Sequence, residues 1–232
     1  MAVFTSGADS SILANVGAAA ASGIHVIPKP VDYSVGGNPV YGHYQVCVQT
    51  GAIGAGLASN SELLQFYWSD TTRLAIIQRV WLTGMRATTA FAVGSIDLKM
   101  TVATSWTAAG SGGGTVTLTD PEAELRTGQM GASLVGEIRL ATTAALGVGT
   151  KTLNTNDVGQ IVTHSSAGTG SAGPIIGSIY LPLYDLFDDR GGSAGHPLVF
   201  AQNEGFVIRA TVPATGVWNL GIGVRWAEAQ YF

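Results

Sequence analysis

The residues near the C-terminal end of the chain alternate between large apolar side chains and small or polar ones. Successive side chains of a β-strand point to opposite faces, so this spacing is typical of a strand with one buried face. We therefore expect a strand over 216–228 whose apolar side contributes to the core. Its apolar positions are Trp218, Leu220, Ile222, Val224 and Trp226.

A second segment, 95–106, alternates in the same way. Asp97, Lys99, Thr101 and Ser105 form the polar side of this predicted strand. Phe206 and Ile208 extend the same pattern into the segment 198–212, and we expect them in the core as well. The apolar side of 95–106 comprises Ile96, Leu98, Met100, Val102 and Trp106.

Further segments rich in β-branched and aromatic residues predict additional strands. Asp120 and Pro121 could start a helix of one or two turns over 120–126, as N-cap and first helical residue. We interpret 154–174 as mostly loop, and "PATG" at 213–216 as the compact turn before the last strand. The additional strands are expected over 41–50, 62–70, 73–87 and 136–146, in a short piece after the turn at 108–114, and in 177–192 before an acidic turn.

Eight to ten short strands with turn signals between them indicate an all-β protein. We predict an antiparallel β-sandwich, jelly-roll-like, although other Greek-key sandwiches fit the same pattern. The chain of 232 residues is expected to form one such domain over 41–232. Residues 1–40 are rich in small residues, and we interpret them as an extended N-terminal arm and loop that orders against a neighbouring subunit. A frayed terminus is the alternative.

The chain carries few charges, since only 11% of its residues are Asp, Glu, Lys or Arg and its net charge is −4. It offers no basic stripe for nucleic acid and no apolar run long enough to span a membrane. A dispersed monomer needs charged surface, so this composition favours a protein that buries surface in a permanent assembly. Ser and Thr on exposed strand faces could supply solubility instead.

The sequence contains no constellation that predicts catalysis. The four histidines, His25, His43, His164 and His196, lack metal-ligand spacing. The Gly-rich loop 51–61 lacks the Lys-Ser/Thr pair of a phosphate-binding loop. We therefore predict a non-enzyme with no cofactor or metal. Cys47, the only cysteine, alternates with apolar residues and is expected in the core.

Three carboxylates, Asp185, Asp188 and Asp189, lie close together in "YDLFDDRGG". We expect them to cap backbone amides, to pair with Arg190 or to face solvent. A weak calcium loop is the alternative, although the segment lacks the spaced oxygen ligands of an EF-hand.

The five tryptophans could pack in the core or stack against a ligand. Trp106, Trp218 and Trp226 are in register with apolar strand faces, which favours packing. Trp68 and Trp81 are less constrained by the pattern, and we predict them as possible exposed aromatic contacts.

The segment "QNEGFVIRATVPATGVWNLGIGVRWAE", within residues 202–229, resembles the closing strands of small virion proteins of tailed bacteriophages. In that group a strand led by "NEGF" and ending in Arg precedes a "GVW…VRW" strand. The resemblance implies a capsid decoration (cement) protein: a bacteriophage structural protein on the capsid surface of the virion, made in the host cytoplasm. It implies a homotrimer whose partners are itself and the major capsid protein, with no nucleic acid and no membrane.

For such a protein we expect contacts through the arm, the 51–60 loop and the 108–114 loop. Two alternatives remain open. A receptor- or glycan-binding head of a fibre or spike would expose Trp68 or Trp81. A jelly-roll shell subunit would assemble alone into closed particles.

Overall fold

Twelve β-strands make up the described part of the chain, which in this computed structural model comprises residues 42–118, 132–165, 184–189 and 197–229. The strands are β1 (His43–Gln49), β2 (Ser61–Trp68), β3 (Leu74–Thr89), β4 (Gly94–Ala108), β5 (Gly114–Thr115), β6 (Glu137–Leu140), β7 (Thr150–Leu153), β8 (Gly159–Ser165), β9 (Tyr184–Asp188), β10 (Leu198–Phe200), β11 (Glu204–Thr211) and β12 (Val217–Ala229). They form two antiparallel sheets packed face to face, as the alternating patterns predict.

The five-stranded sheet has the order β1-β12-β3, and β9 and β10 lie one after the other along the remaining edge of β3. The seven-stranded sheet has the order β5-β6-β2-β11-β4, and β7 and β8 share the remaining edge of β4 in the same way. Each of these two pairs of short strands therefore acts as one broken edge strand.

With the broken strands counted once, the described strands form a set of nested pairs, to which β6 and β5 are added at the edge of β2. The first strand pairs with the last, as β1 with β12, and β2 pairs with β11. Inside them, β3 pairs with β9 and β10, and β4 pairs with β7 and β8. This nested antiparallel pairing is the jelly roll, so the predicted fold class is confirmed. The turn 213–216 consequently crosses from one sheet to the other.

The core lies between the sheets and contains the apolar positions predicted in β4, β11 and β12. Trp226 stacks on Tyr44 with 5.5 Å between ring centroids and meets the edge of Phe66 at the same centroid distance. The contact of Trp226 in β12 with Phe66 in β2 joins the two sheets, and Phe66 in turn stacks on Phe206 of its own sheet at 5.1 Å. The fully buried members of the prediction in this core are Ile96, Leu98, Met100, Phe206, Ile208, Trp218, Leu220, Ile222, Val224 and Trp226, and Val102 packs at its margin.

Trp106 is buried, but it does not share a face with Ile96 as predicted. Ser105 has a positive φ of 51°, and the pairing of β4 with β7 shifts register here. This irregularity turns the Trp106 side chain to the outer face of the seven-stranded sheet. There it packs in a separate small cluster with Ala103 and Val207.

Several predicted boundaries also need correction. The segment 154–174 is not mostly loop in its described part, since β8 occupies Gly159–Ser165. The strand expected over 136–146 ends at Leu140, and the strand expected over 198–212 is interrupted between β10 and β11, where Asn203 has a φ of 65°. The helix predicted over 120–126 and the arm over 1–40 lie outside the described residues.

One carboxylate, Glu228, lies at an inward-facing position of β12 and is fully buried. Ser133 Oγ donates to its Oε1 at 2.6 Å, and the backbone N–H of Leu134 donates at 3.0 Å. Burial raises the pKa of Glu228 above its usual range, although these hydrogen bonds and the nearby Arg73 act in the opposite direction. Glu228 thereby anchors the segment that leads into β6 to the end of the sandwich.

Candidate functional site: a loop cluster on the seven-stranded sheet

The two loops predicted as contact elements meet on the same segment of the chain. In the first loop, the N–H groups of Gly51 and Gly54 donate to the carbonyls of Ala141 and Thr143, at 3.2 and 3.1 Å. The second loop accepts a hydrogen bond from the Gly147 N–H at the Ser111 carbonyl, at 2.8 Å. We call the segments 51–60, 108–114 and 141–149 together the loop cluster.

A buried ion pair lies beneath the loop cluster. The Lys151 Nζ and Glu62 Oε2 atoms are 2.9 Å apart, and both side chains are only 2% exposed. Gln65 Nε2 donates a second hydrogen bond to the same carboxylate oxygen, at 2.6 Å. Since two charges are removed from water here, their hydrogen bonds must offset a large desolvation cost.

Two of these side chains, Gln65 and Lys151, also hold the loops directly. The Gly110 N–H donates to Gln65 Oε1 at 3.1 Å, and Gln65 Nε2 donates to the Gly147 carbonyl at 2.9 Å. Lys151 Nζ donates to the Val148 carbonyl. A network whose members are satisfied in this way fixes the conformation of the backbone it binds. The loop cluster is therefore pre-organised by β2 and β7.

The rings of Trp106 and Tyr67 lie beside the Glu62–Lys151–Gln65 network. Lys151 Nζ lies 4.7 Å from the centroid of the Trp106 ring, a cation–π contact in a desolvated setting. Trp106 stacks on Tyr67 at 5.1 Å, and its Nε1 donates to the Ala108 carbonyl at 3.1 Å. The outward turn at Ser105 is what brings Trp106 into this position.

The loop cluster consists of uncharged and mostly small residues. Its three segments contain no Asp, Glu, Lys, Arg, His or Cys. Val148 is the most exposed large apolar residue on it, at 63%. A surface of this composition cannot perform acid–base or metal chemistry. It can be buried against another protein without removing a charge from water, which is the property that a permanent interface needs.

The outer face of the five-stranded sheet carries the other notable arrangement. Trp81 lies flat across Gly223, where an added Cβ would come within 2.1 Å of the indole ring. The Arg79 guanidinium lies 5.0 Å from the centroid of that ring and binds Asp185 through two hydrogen bonds of 2.6 and 3.1 Å. Trp81 is therefore only 6% exposed although it points outward.

The three carboxylates of "YDLFDDRGG" thus have different surroundings. Asp185 pairs with Arg79, whereas Asp188 and Asp189 line a cleft of about 40 Å³ beside Gln78 and Arg225. Ligand pockets usually enclose roughly 300–1,000 Å³, so this cleft is too small for an organic ligand. Within the described ranges, no group of three His, Cys, Asp or Glu side chains could hold a metal ion.

Besides the face of Trp106, three sequence predictions about individual side chains are wrong. Trp68 and Trp81 are not exposed aromatic contacts: Trp68 is fully buried in the core, and Trp81 is covered by Arg79 and Gly223. Cys47 is not a core residue, because it points to the outer face of the edge strand β1 and is exposed.

The histidines do not come together in the described structure. His43 lies in β1 and His164 on the exposed side of β8, while His25 and His196 are outside the described residues. One sign of the buried network is visible in the sequence, since Glu62 and Gln65 interrupt the largely apolar strand "SELLQFYW". Their partner Lys151 is 89 residues from Glu62 in the sequence, and no local pattern identifies it.

Comparison with known proteins finds no relative of this chain. No protein family matches the chain, and neither a curated protein nor a solved structure matches it. In the portion of the chain that the structure describes, no helix is long and apolar enough to cross a membrane.

Proposed function

We propose that this chain is a non-enzymatic virion structural protein that decorates a bacteriophage capsid and stabilises the joints between its shell subunits. The observation that carries the proposal is the loop cluster, an uncharged exposed surface held in one conformation by a buried ion pair. A pre-organised surface loses little conformational entropy on binding, so more of its contact energy appears as affinity. Repetition by symmetry then multiplies modest contacts over the whole shell.

Two further features support the proposal. The low proportion of charged residues is what a protein with buried subunit surface requires. The resemblance of residues 202–229 to phage virion proteins falls on β11 and β12, the two strands that occupy central positions in the two sheets.

As partners we propose further copies of the chain, in a trimer, and the major capsid protein. As location we propose the outer surface of the virion, after synthesis in the host cytoplasm.

A second candidate is a jelly-roll shell subunit. The nested strand pairing favours it, because jelly rolls are a common fold of viral capsid domains. This candidate differs in one property that can be measured, since a shell subunit would form closed particles without any other protein. The glycan-binding alternative required an exposed Trp68 or Trp81, and both side chains are buried.

The proposal is tested by binding to capsid shells prepared without this protein. The variant Val148→Asp places a charge on the exposed surface of the loop cluster, and we expect its affinity for shells to fall at least about tenfold, because burying an unpaired carboxylate costs more than 1.4 kcal/mol. Co-sedimentation over a range of protein concentration measures the effect.

Deletion of residues 1–24 is expected to abolish binding to the shells while the domain stays folded.

The matched control is Val93→Asp, because Val93 is comparably exposed at 58% and lies in the turn between β3 and β4, outside the loop cluster. Its affinity should equal that of the unmodified protein. Absence of any binding by the unmodified protein would contradict the proposed function. Equal binding by all three full-length proteins would remove the loop cluster from the interface.

A further inference from the structure

A lysine, a glutamate and a glutamine are enclosed together beneath the loop cluster. The side chains of Lys151 and Glu62 are each 2% exposed, and Gln65 is 1% exposed. Glu62 Oε2 accepts a hydrogen bond from Lys151 Nζ at 2.9 Å and another from Gln65 Nε2 at 2.6 Å. An amine and an amide nitrogen are therefore held against one carboxylate oxygen in a site that excludes water.

An irregularity in β2 brings the glutamate and the glutamine together. Side chains three positions apart on a regular strand point to opposite faces. The pairing of β2 with β11 shifts register between Ile208 and Arg209, where β2 contains one residue more than β11. Glu62 and Gln65 consequently share the outer face of the seven-stranded sheet. Bulges of this kind re-aim side chains next to active sites in many proteins.

Three hydrogen bonds orient the amide group of Gln65. Its Nε2 donates to the Glu62 carboxylate and, at 2.9 Å, to the Gly147 carbonyl, while its Oε1 accepts from the Gly110 N–H at 3.1 Å. The absence of a side chain at Gly110 permits this approach, since an added Cβ would lie 2.5 Å from both end atoms of Gln65. A backbone N–H thus faces the oxygen on which negative charge develops when the amide carbon is attacked.

From these contacts we infer that Lys151 and Gln65 form an isopeptide bond, with Glu62 as the carrier of the protons. The nucleophile of such a step is a neutral amine, which an adjacent base generates. Glu62 accepts a proton from the Lys151 ammonium, and the electron pair freed on Nζ attacks Cδ of Gln65. The shared carboxylate oxygen is already hydrogen-bonded to both nitrogens, so each proton transfer follows an existing contact.

The reaction balances without a co-reactant. The attack forms the Nζ–Cδ bond and places a negative charge on Oε1, where the Gly110 N–H binds it. The Cδ–Nε2 bond then breaks, and its electron pair stays on the nitrogen. Glu62 passes to that nitrogen the two protons that leave Nζ. One ammonium ion departs, the carboxylate is regenerated, and the total charge is unchanged.

The isopeptide bond joins β2 to β7 beneath the loop cluster. It makes permanent the conformation that the hydrogen bonds of the network select. The ion pair is the reactant of this step, so the cross-link accumulates with time after folding. The reaction requires this chain alone, and the inference therefore does not rest on the proposed virion function.

Mass spectrometry of the purified full-length protein, during prolonged incubation under native conditions, tests the inference. We expect the intact mass to fall by one molecule of ammonia. Trypsin should then no longer cleave after Lys151, and one fragment should join the segments that contain Gln65 and Lys151. Because this fragment is sought in the unmodified protein, the test does not depend on the folding of any variant.

Two variants assign the roles of the side chains. Glu62→Gln keeps the shape of the side chain but removes the proton acceptor, and it should slow the loss of ammonia at least about a hundredfold. Lys151→Arg keeps the positive charge and should abolish the cross-link. The matched control is Lys99→Arg, because Lys99 lies on the same sheet in an ion pair with Asp157 at 3.6 Å. It should react at the rate of the unmodified protein.

Three results would overturn the inference. An intact mass that stays constant would show that no bond forms. Loss of ammonia that persists in K151R would arise from a different amide. Equal rates in E62Q and the unmodified protein would contradict the role of Glu62. None of these results alters the shell-binding test, so failure of the inference is distinguishable from failure of the proposed function.

Discussion

Replacing Glu62 by alanine is expected to destabilise the protein by about 3–5 kcal/mol, because the change leaves the Lys151 ammonium buried without its counter-ion. Lys151 would retain the Val148 carbonyl as a partner, and Gln65 would lose its 2.6 Å hydrogen bond to the carboxylate. Chemical denaturation followed by tryptophan fluorescence measures the free energy of unfolding.

Two controls identify the cause of that loss. Asp185→Asn removes the charged partner of Arg79 in an ion pair whose side chains are 36% exposed at Asp185 and 27% exposed at Arg79. It should lower the free energy of unfolding by less than about 1 kcal/mol. The double change of Glu62 and Lys151 to methionine removes both charges together and should recover most of the stability lost in the alanine variant. An alanine variant no less stable than D185N would show that the ion pair does not hold the loop cluster.

Replacing Trp226 by alanine should cost about 3–5 kcal/mol, the usual range for removing a large aromatic side chain from a packed core. Trp226 is fully buried and contacts rings from both sheets, Tyr44 in β1 and Phe66 in β2. Its loss therefore opens a cavity between the sheets rather than at one edge. The midpoint of thermal unfolding should fall well below that of the unmodified protein.

Val162→Ala is the comparison for this variant. Val162 lies on the edge strand β8 and is 60% exposed, so its truncation should change the free energy of unfolding by less than about 0.5 kcal/mol. Similar stability of the two variants would contradict the packing described for Trp226.

The pattern of the sequence predicts the strands of this sandwich well where the backbone is regular. In β12 every second residue from Trp218 to Trp226 is buried as expected, because the strand keeps one alternation and pairs with β1 in continuous register from Gly221 to Ala227. In β4 the same reasoning fails at Trp106, since the positive φ of Ser105 reverses the alternation. Nothing in the local sequence identifies a serine as the site of that reversal.

The exposure of individual side chains was harder to predict, because it depends on neighbours that are distant in sequence. Trp81 points away from the core yet is covered by Arg79 and by its position across Gly223. Cys47 alternates like a core residue but belongs to the outward side of an edge strand. In the same way, two segments of the loop cluster, 51–60 and 108–114, could be proposed from the sequence as exposed loops. The third, 141–149, overlaps the strand expected over 136–146, and the Glu62–Lys151 pair that unites the cluster required the fold.

The most direct test of the proposed role is the absolute mass of the purified chain by light scattering, over a range of protein and salt concentration. The chain mass is 23.8 kDa. We expect an oligomer whose mass does not change with salt, with three chain masses for the proposed trimer, because its interfaces are uncharged and salt screens only charges. A monomer at every concentration would contradict the claim that this sparsely charged protein buries its surface in a permanent assembly.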